Sequence, residues 1–216
     1  MVLLEFCKLV ASGEYMRVIG ITGGIGTGKS EVSRILQELG AVVISADQLG
    51  HEAYRPPTET WRRVVDAFGD NVMSPNGEID RHRLGALVFS DPKARAILDS
   101  IVRPEISRLV SQRIQELKGE ETDTIVLEAA LLIEAGWDTL VDEVWVTHAP
   151  RETVVERLKA RNHLSEVDIE NRIAAQFPFE ERAKHGQVIV ENSASLKELQ
   201  DRVRKLWRFR VKKVSE

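Results

Sequence analysis

A lysine and a serine end a glycine-rich stretch, and residues of these types at this spacing can bind the phosphates of a nucleotide. Residues 23–30 are GGIGTGKS and fit the pattern G-x-x-x-x-G-K-[ST]. The glycines allow a tight loop in which successive backbone N–H groups point at one phosphate. Lys29 is long enough to reach the β- and γ-phosphates, and the Ser30 hydroxyl can coordinate Mg²⁺. We predict nucleotide-phosphate binding here; the alternative is a chance glycine turn before a helix.

Two carboxylates follow apolar runs and are candidates for catalysis or metal binding. Asp47 closes the run AVVISA, where a carboxylate at the carboxyl edge of an open α/β sheet can orient an acceptor hydroxyl and take its proton. Its alternative role is to cap a helix that starts at Gln48. Glu128 lies in the third apolar run. It either binds Mg²⁺ through water or is a strand-end residue satisfied by backbone donors, and both interpretations stay open.

Arginines supply the third chemical signal. Arg157 and Arg161 are four residues apart, which places them on one face of a helix. Guanidinium groups near a transferring phosphoryl group stabilise its charge. The alternative is a solvated helix with Glu–Arg pairs, and Glu152 and Glu156 are available for such pairs. We expect at least one arginine of this segment to be functional.

Continuous apolar runs recur along the chain and are typical of strands buried on both faces of a parallel sheet. Segments with helical spacing of apolar residues lie between them. We therefore predict an α/β fold, a five-stranded parallel sheet with helices on both faces. The five runs begin at Arg17, Ala41, Thr124, Glu143 and Gln187.

Two intervals between the runs are too long for simple crossovers, and they predict the domain organisation. We expect a helical insertion that binds the acceptor and a helical lid that closes over ATP and excludes water. The predicted parts are an N-terminal extension at 1–15, a nucleotide-binding core at 16–49, 121–150 and 187–210, the insertion at 50–120, and the lid at 151–186.

Composition excludes several classes of protein. The formal charge of the 216 residues is −4, which argues against a general nucleic-acid or membrane binder. The single cysteine, Cys7, cannot form an internal disulfide, so a cytoplasmic location is expected. No N-K-x-D segment is present, which disfavours a GTPase switch protein. A small P-loop kinase that acts as a monomer or weak oligomer fits best; a kinase for another small molecule or a nucleoside monophosphate, and a non-catalytic nucleotide-binding module, remain as alternatives.

Six segments, in order, resemble the dephospho-coenzyme A kinase family of P-loop kinases from about Met16 to Leu206. The family's phosphate loop is similar to GITGGIGTGKS, and its D-A-D segment is similar to VISADQLGH. Its middle region, including a histidine–proline turn, resembles GEIDRHRLGALVFSDPKARAILDSIVRPEI. Its P-L-L-F-E segment, its lid and its V-I-D-N-S-G stretch resemble EAALLIEAG, RLKARNHLSEVDIENRIAAQ and VIVENSAS. Order and spacing across six segments are far more specific than the phosphate loop alone.

The resemblance implies a P-loop NTPase fold and transfer of the ATP γ-phosphoryl group to the ribose 3′-hydroxyl of dephospho-coenzyme A. It implies ATP and Mg²⁺ as cofactors and Asp47, Lys29 and Arg161 as catalytic residues. The implied nucleotide contacts, with Ser30 also as metal ligand, are Gly24, Gly26, Thr27, Gly28, Lys29, Ser30, Glu31, Arg157 and Asn192. The implied acceptor contacts are Asp47, Asp80, Arg81, Arg103 and Pro104.

Four residues depart from the family pattern, and one of them is Glu31, which stands where threonine is common but mostly contributes its backbone. Ser45 stands at the family's first aspartate, so any role of that acid is lost or moved. Arg103 stands where the family usually has the histidine before Pro104, and it could hold a substrate phosphate instead. Ala130 replaces the proline of P-L-L. Because Lys29, Ser30 and Asp47 are intact, we expect an active enzyme.

Overall fold

The computed structural model of the protein describes residues 16–118, 122–162, 166–174 and 176–211. It describes the backbone alone for residues 89, 161, 162 and 166–168. The predicted N-terminal extension at 1–15 therefore lies outside the described residues. The described residues form two compact units, one made of those up to residue 44 and from residue 116 onward, and the other of residues 45–115.

A five-stranded sheet forms in the described residues, as the apolar runs predict. Its order is β2-β3-β1-β4-β5, and β1 pairs in parallel with β3 and β4, as β4 does with β5. The inner strands β1, β3 and β4 are buried almost throughout, whereas Ile189 on the edge strand β5 is exposed. The strands are β1 (Arg17–Gly23), β2 (Val42–Ser45), β3 (Thr124–Glu128), β4 (Glu143–His148) and β5 (Val188–Glu191).

The first and last helices of the first unit pack on this sheet. The core joins apolar side chains of β1, β4 and β5 to the buried faces of the first and last helices, with Trp145 fully enclosed. The last helix is fixed at its start by a capping box between Ser195 and Glu198. The helices are α1 (Lys29–Glu38), α6 (Arg151–Asn162), α7 (Glu166–Ala174), α8 (Phe179–Ala183) and α9 (Leu196–Arg210).

The second unit is helical, as predicted for the long interval after β2. Turns occur at residues 56–57 and 75–76, within the proline-containing stretches RPPT and MSPNGE. The helices are α2 (Ala46–Ala53), α3 (Glu59–Phe68), α4 (Arg81–Ser90) and α5 (Pro92–Leu117). Among the residues that the structure describes, no helix combines the length and the apolar character needed to cross a membrane.

One local prediction is wrong. The Arg103–Pro104 pair is expected to form a turn, but both residues lie inside the 26-residue helix α5. Proline in a helix interior removes one backbone hydrogen bond and is normally disruptive. Here Ile101, Val102 and Ile106 are buried on either side of it, so burial of the apolar face favours continuation of the helix.

Candidate active site

The glycine-rich loop connects β1 to α1, and its backbone conformation requires glycine. Gly26 and Gly28 have φ values of 75° and 96°, in the left-handed region that side chains disfavour. A Cβ atom on Gly28 would lie 2.1 Å from the Asn192 side-chain nitrogen. Gly28 is also the N-cap of α1, so the loop leads directly into the N-terminus of this helix. Backbone N–H groups at a helix N-terminus and the positive end of the helix dipole together form an anion site.

The side chains of the loop stabilise it internally. The Thr27 hydroxyl lies 2.7 Å from the Gly24 carbonyl oxygen and 2.6 Å from the Thr147 hydroxyl. Thr27 is 6% exposed, so this predicted nucleotide contact also ties the loop to the end of β4. Lys29 donates from Nζ to the carbonyl oxygens of Gly23 and Gly24, at 3.0 and 3.2 Å. The lysine ammonium therefore lies over the loop where phosphates would bind.

Ser30 and Glu128, the two candidate metal ligands, are in direct contact. The Ser30 hydroxyl donates to Glu128 Oε1 at 2.7 Å. The hydrogen bond that Glu128 accepts thus comes from a side-chain hydroxyl and not from the backbone donors of the alternative interpretation. Mg²⁺ typically binds one or two carboxylates together with substrate phosphates and waters. A hydroxyl and a carboxylate beside a phosphate loop fit that donor set.

Glu31, also predicted as a nucleotide contact, has a different environment from Ser30. Its backbone N–H donates to the Gly28 carbonyl at 3.1 Å. Its carboxylate accepts hydrogen bonds from the Arg34 guanidinium one turn further along α1. The side chain therefore serves the surface of the helix, and the backbone is the part of Glu31 that belongs to the loop.

Arg157 and Asn192 form a second contact group on the loop. Arg157 donates to the Gly26 carbonyl at 3.4 Å and to the backbone and side-chain oxygens of Asn192 at 3.0 and 3.3 Å. The Asn192 amide in turn donates to the Thr27 carbonyl at 2.9 Å. The lid helix α6, the segment after β5 and the phosphate loop thus meet at these two predicted residues. Arg161 lies on α6 one turn later, but its side chain lies outside the described residues.

Asp47 lies in the first turn of α2 and is exposed. It does not end the strand, because β2 ends at Ser45. The alternative role of Asp47 as a helix cap is wrong: α2 starts at Ala46, and the Ser45 hydroxyl accepts the cap hydrogen bond from the Gln48 N–H. Within the described part of the chain, the Asp47 carboxylate makes no hydrogen bond or salt bridge. Its side chain is therefore available to a substrate.

The other predicted acceptor contacts lie in the second unit. Asp80 caps α4, accepting from the N–H groups of His82 and Arg83 at 3.0 and 3.1 Å. Arg103 forms a salt bridge with Asp99 at 2.6 Å, one turn before it in α5. Asp80 and Arg81, but not Arg103 or Pro104, line a polar pocket of about 380 Å³. Other residues of this pocket include His51, Tyr54, Arg55 and His82.

The polar pocket carries charges of both signs, because Glu78 and Asp80 line it together with Arg55 and Arg81. The pKa of His51 lies below its ordinary value, first because of partial burial and second because of the positive charge of Arg81. Burial also raises the pKa of Tyr54. The two arginines can bind a ligand that carries negative charge and hydrogen-bonding groups.

Three further residues contact or adjoin the loop, and their sequence signals were unspecific. Gln176 is the last residue of the lid-like segment, and Arg182 is one of five arginines in the predicted lid at 151–186. Gln176, at the end of the lid, accepts a hydrogen bond from the Ile25 N–H at 2.8 Å. Arg182 is 2% exposed and forms a salt bridge with Glu134 at 2.8 Å. Gln176 and Arg182 line a pocket of about 560 Å³ in the first unit, beside Gly24 and Thr27. Glu134 stood out only as part of a family-like segment, without a role.

Comparison with known proteins identifies relatives over most of the chain. A family model described as "Dephospho-CoA kinase" matches residues 17–198, a range that includes the phosphate loop, Asp47 and the lid. A dephospho-CoA kinase of Geobacter sulfurreducens is 49% identical over 192 residues, 89% of this chain and 98% of that protein.

Two solved structures are similar in fold. TT1252 from Thermus thermophilus has a TM-score of 0.75 and 34% identity, covering 89% of this chain and 96% of that one. A dephospho-CoA kinase from Campylobacter jejuni has a TM-score of 0.66 and 27% identity, with the same two coverages.

Proposed function

This chain belongs to the dephospho-CoA kinase family, and we propose that it transfers the γ-phosphoryl group of ATP to the ribose 3′-hydroxyl of dephospho-CoA. The products are coenzyme A and ADP, and the reaction is the last step of coenzyme A biosynthesis. The observation that carries the proposal is the family match, which extends from β1 through the phosphate loop and the second unit to α9. The enzyme would work in the cytoplasm as a monomer or weak oligomer.

The phosphate loop holds the triphosphate. Backbone N–H groups of the loop and of the first turn of α1 donate to the β- and γ-phosphate oxygens. Lys29 lies over this site and exchanges the carbonyl oxygens of Gly23 and Gly24 for phosphate oxygens. Because a phosphate oxygen carries charge and a carbonyl does not, the exchange favours the nucleotide-bound state.

Ser30 and Glu128 are the residues that would hold Mg²⁺, Ser30 through its hydroxyl and Glu128 through an intervening water. The 2.7 Å hydrogen bond between their side chains supports this assignment. Mg²⁺ held there would supply positive charge that offsets the negative charge of the phosphates in the transition state.

Asp47 is proposed as the group that orients the acceptor and takes its proton. The 3′-oxygen forms a bond to the γ-phosphorus while the bond from that phosphorus to the β–γ bridging oxygen breaks. The hydroxyl proton passes to the Asp47 carboxylate, which is exposed and carries no described hydrogen bond. The hydroxyl of Ser45 caps α2 and so fixes the helical turn that carries Asp47.

The lid arginines offset the charge that develops during transfer. Arg157 contacts the loop through Gly26 and Asn192, which supports its proposed role as a nucleotide contact. Arg161 is one helical turn further along α6, and we propose that it reaches the transferring phosphoryl group when the lid closes. Asp80, Arg81, Arg103 and Pro104 are proposed to border dephospho-CoA, with the polar pocket beside Arg81 as the place for its charged portion.

The deciding experiment is ADP release by the purified protein with Mg²⁺-ATP. Dephospho-CoA is compared with a panel of nucleosides, nucleoside monophosphates and sugar acids, and with no acceptor. We expect release only with dephospho-CoA, and mass spectrometry should show one added phosphate on the product. Release driven by another acceptor would overturn the substrate but keep the phosphate-loop chemistry, whereas ATP binding without acceptor-dependent release would indicate a non-catalytic nucleotide-binding module.

Asp47→Asn tests the catalytic role within the same assay. Turnover should fall by about 10²-fold or more, because general-base catalysis is lost. ATP affinity and stability should stay nearly unchanged, because the Asp47 side chain is exposed. Asp66→Asn, which changes another exposed helical aspartate of the same unit, is the matched control and should leave turnover unchanged. Unchanged turnover in Asp47→Asn would remove Asp47 from the mechanism.

A further inference from the structure

A buried ion pair holds the backbone of the segment that follows the lid helices. Glu134 Oε1 accepts hydrogen bonds from the Phe177 N–H at 3.2 Å and from the Arg182 guanidinium at 2.8 Å. Arg182 also donates to the Phe177 carbonyl oxygen at 2.7 Å. Both backbone polar groups of Phe177 are thus held by one pair of charged side chains.

Side-chain packing does not explain this arrangement. The Phe177 side chain is 42% exposed, so the position of this residue is set by its backbone contacts. Burying an arginine and a glutamate requires removal of water from both, and a buried ion pair is often no more stabilising than apolar residues of the same size. A pair of this kind is more informative about the conformation that it imposes than about overall stability.

The conformation that it imposes places Gln176 on the phosphate loop. Gln176 directly precedes Phe177, and its Oε1 accepts a hydrogen bond from the Ile25 N–H at 2.8 Å. Only the amide oxygen can accept from an N–H group, so this contact also fixes which way the amide points. A chain of contacts therefore leads from Glu134 and Arg182 through Gln176 to Ile25 of the phosphate loop.

We propose that Gln176 is a positioning residue for the phosphate loop and that Glu134 and Arg182 act through it. The loop must present its N–H groups in one conformation before ATP arrives, and Gln176 fixes the Ile25 peptide in advance. A loop that is ordered beforehand loses less conformational freedom when the nucleotide binds. This inference rests on the proposed function, because it takes the loop as the ATP site, and it gives Glu134 a role that the proposed mechanism does not.

Gln176→Ala removes the contact without disturbing the ion pair. The dissociation constant of Mg²⁺-ATP and the KM for ATP should rise by about two- to ten-fold, the worth of one hydrogen bond. The kcat and the KM for the acceptor should stay the same. A merely structural role would instead lower the active fraction, and so kcat, without changing the KM for ATP. Gln37→Ala, the same substitution at an exposed position of α1, is the control and should change neither.

Arg182→Lys tests whether the ion pair acts through Gln176. Lysine keeps the charge, but its single ammonium does not reproduce the paired contacts to Phe177 and Glu134. Arg182→Lys should raise the ATP dissociation constant in the wild-type background. It should cause no further rise in the Gln176→Ala background, because both substitutions remove the same contact. If Arg182→Lys does not fold, the ATP dissociation constant of Gln176→Ala alone tests the positioning role.

The outcomes separate this inference from the proposed function. A wild-type protein that binds no ATP or phosphorylates no dephospho-CoA contradicts the proposed function. An active wild-type protein whose ATP affinity is the same in Gln176→Ala overturns the positioning role alone. Additive effects of the two substitutions would keep Gln176 as a positioning residue and remove Glu134 and Arg182 from that role.

Discussion

Replacing Gly28 by alanine should destabilise the protein and weaken ATP binding together. Gly28 has φ 96°, and a side chain in the left-handed region costs about 1–2 kcal/mol. The new Cβ would lie 2.1 Å from Asn192 Nδ2, so Asn192 must move. It then loses its hydrogen bond to the Thr27 carbonyl, which costs about 1 kcal/mol more. The free energy of unfolding should fall by about 2–3 kcal/mol in total.

Gly40→Ala is a control that separates the two parts of this cost. Gly40 lies just beyond the other end of α1 with φ 106°, but nothing lies within 4 Å of a Cβ there. It should therefore show the backbone cost alone, about 1–2 kcal/mol, and leave ATP binding unchanged. Urea unfolding followed by circular dichroism measures the stabilities, and titration calorimetry measures ATP affinity. Equal loss of stability in both variants, with ATP affinity kept in Gly28→Ala, would refute the argument from Asn192.

Three further predictions concern single side chains. Lys29→Ala should raise the ATP dissociation constant and lower kcat by about 10²-fold or more, because the positive charge that contacts the phosphates is removed. Rapid-quench kinetics would measure the loss of rate. Unchanged ATP affinity would contradict the position of Lys29 over the phosphate site. Ser45→Ala should cost about 1 kcal/mol by removing the cap of α2, while Ser45→Asp keeps the cap and the stability. The pKa of His51 is lowered in the folded state, so its contribution to stability is present above the unfolded-state pKa of about 6.5 and is lost as the pH falls below it. His51→Gln should therefore reduce the decline of the urea midpoint between about pH 7 and pH 5, and an identical decline would contradict the assigned cause.

The strands and the phosphate loop were predictable because their signals are local. Each strand is a continuous apolar run, and burial on both faces of a sheet requires such a run. The loop is equally local: its glycines, Lys29 and Ser30 are neighbours in sequence, and the conformation that needs Gly28 arises within a few residues. The helix that starts at Lys29 follows from the apolar spacing of the next residues.

Predictions failed where local signals compete. Ser45 and Asp47 are both good helix caps, and only the position at which β2 ends decides that Ser45 takes the cap and Asp47 is left exposed. Pro104 favours a turn by itself, but buried neighbours on the same face keep α5 continuous. In both cases the outcome depends on burial, which a short stretch of sequence does not contain.

The sequence by itself therefore determined the sheet, the phosphate loop and, through the order of six segments, the family. Tertiary structure alone decided what holds the loop in place. Glu134 and Arg182 are 48 residues apart, and Gln176 is 151 residues from Ile25. Contacts between residues so far apart in sequence form only when the fold brings β1, β4 and the lid together. No local pattern specifies which distant glutamine will contact which backbone N–H.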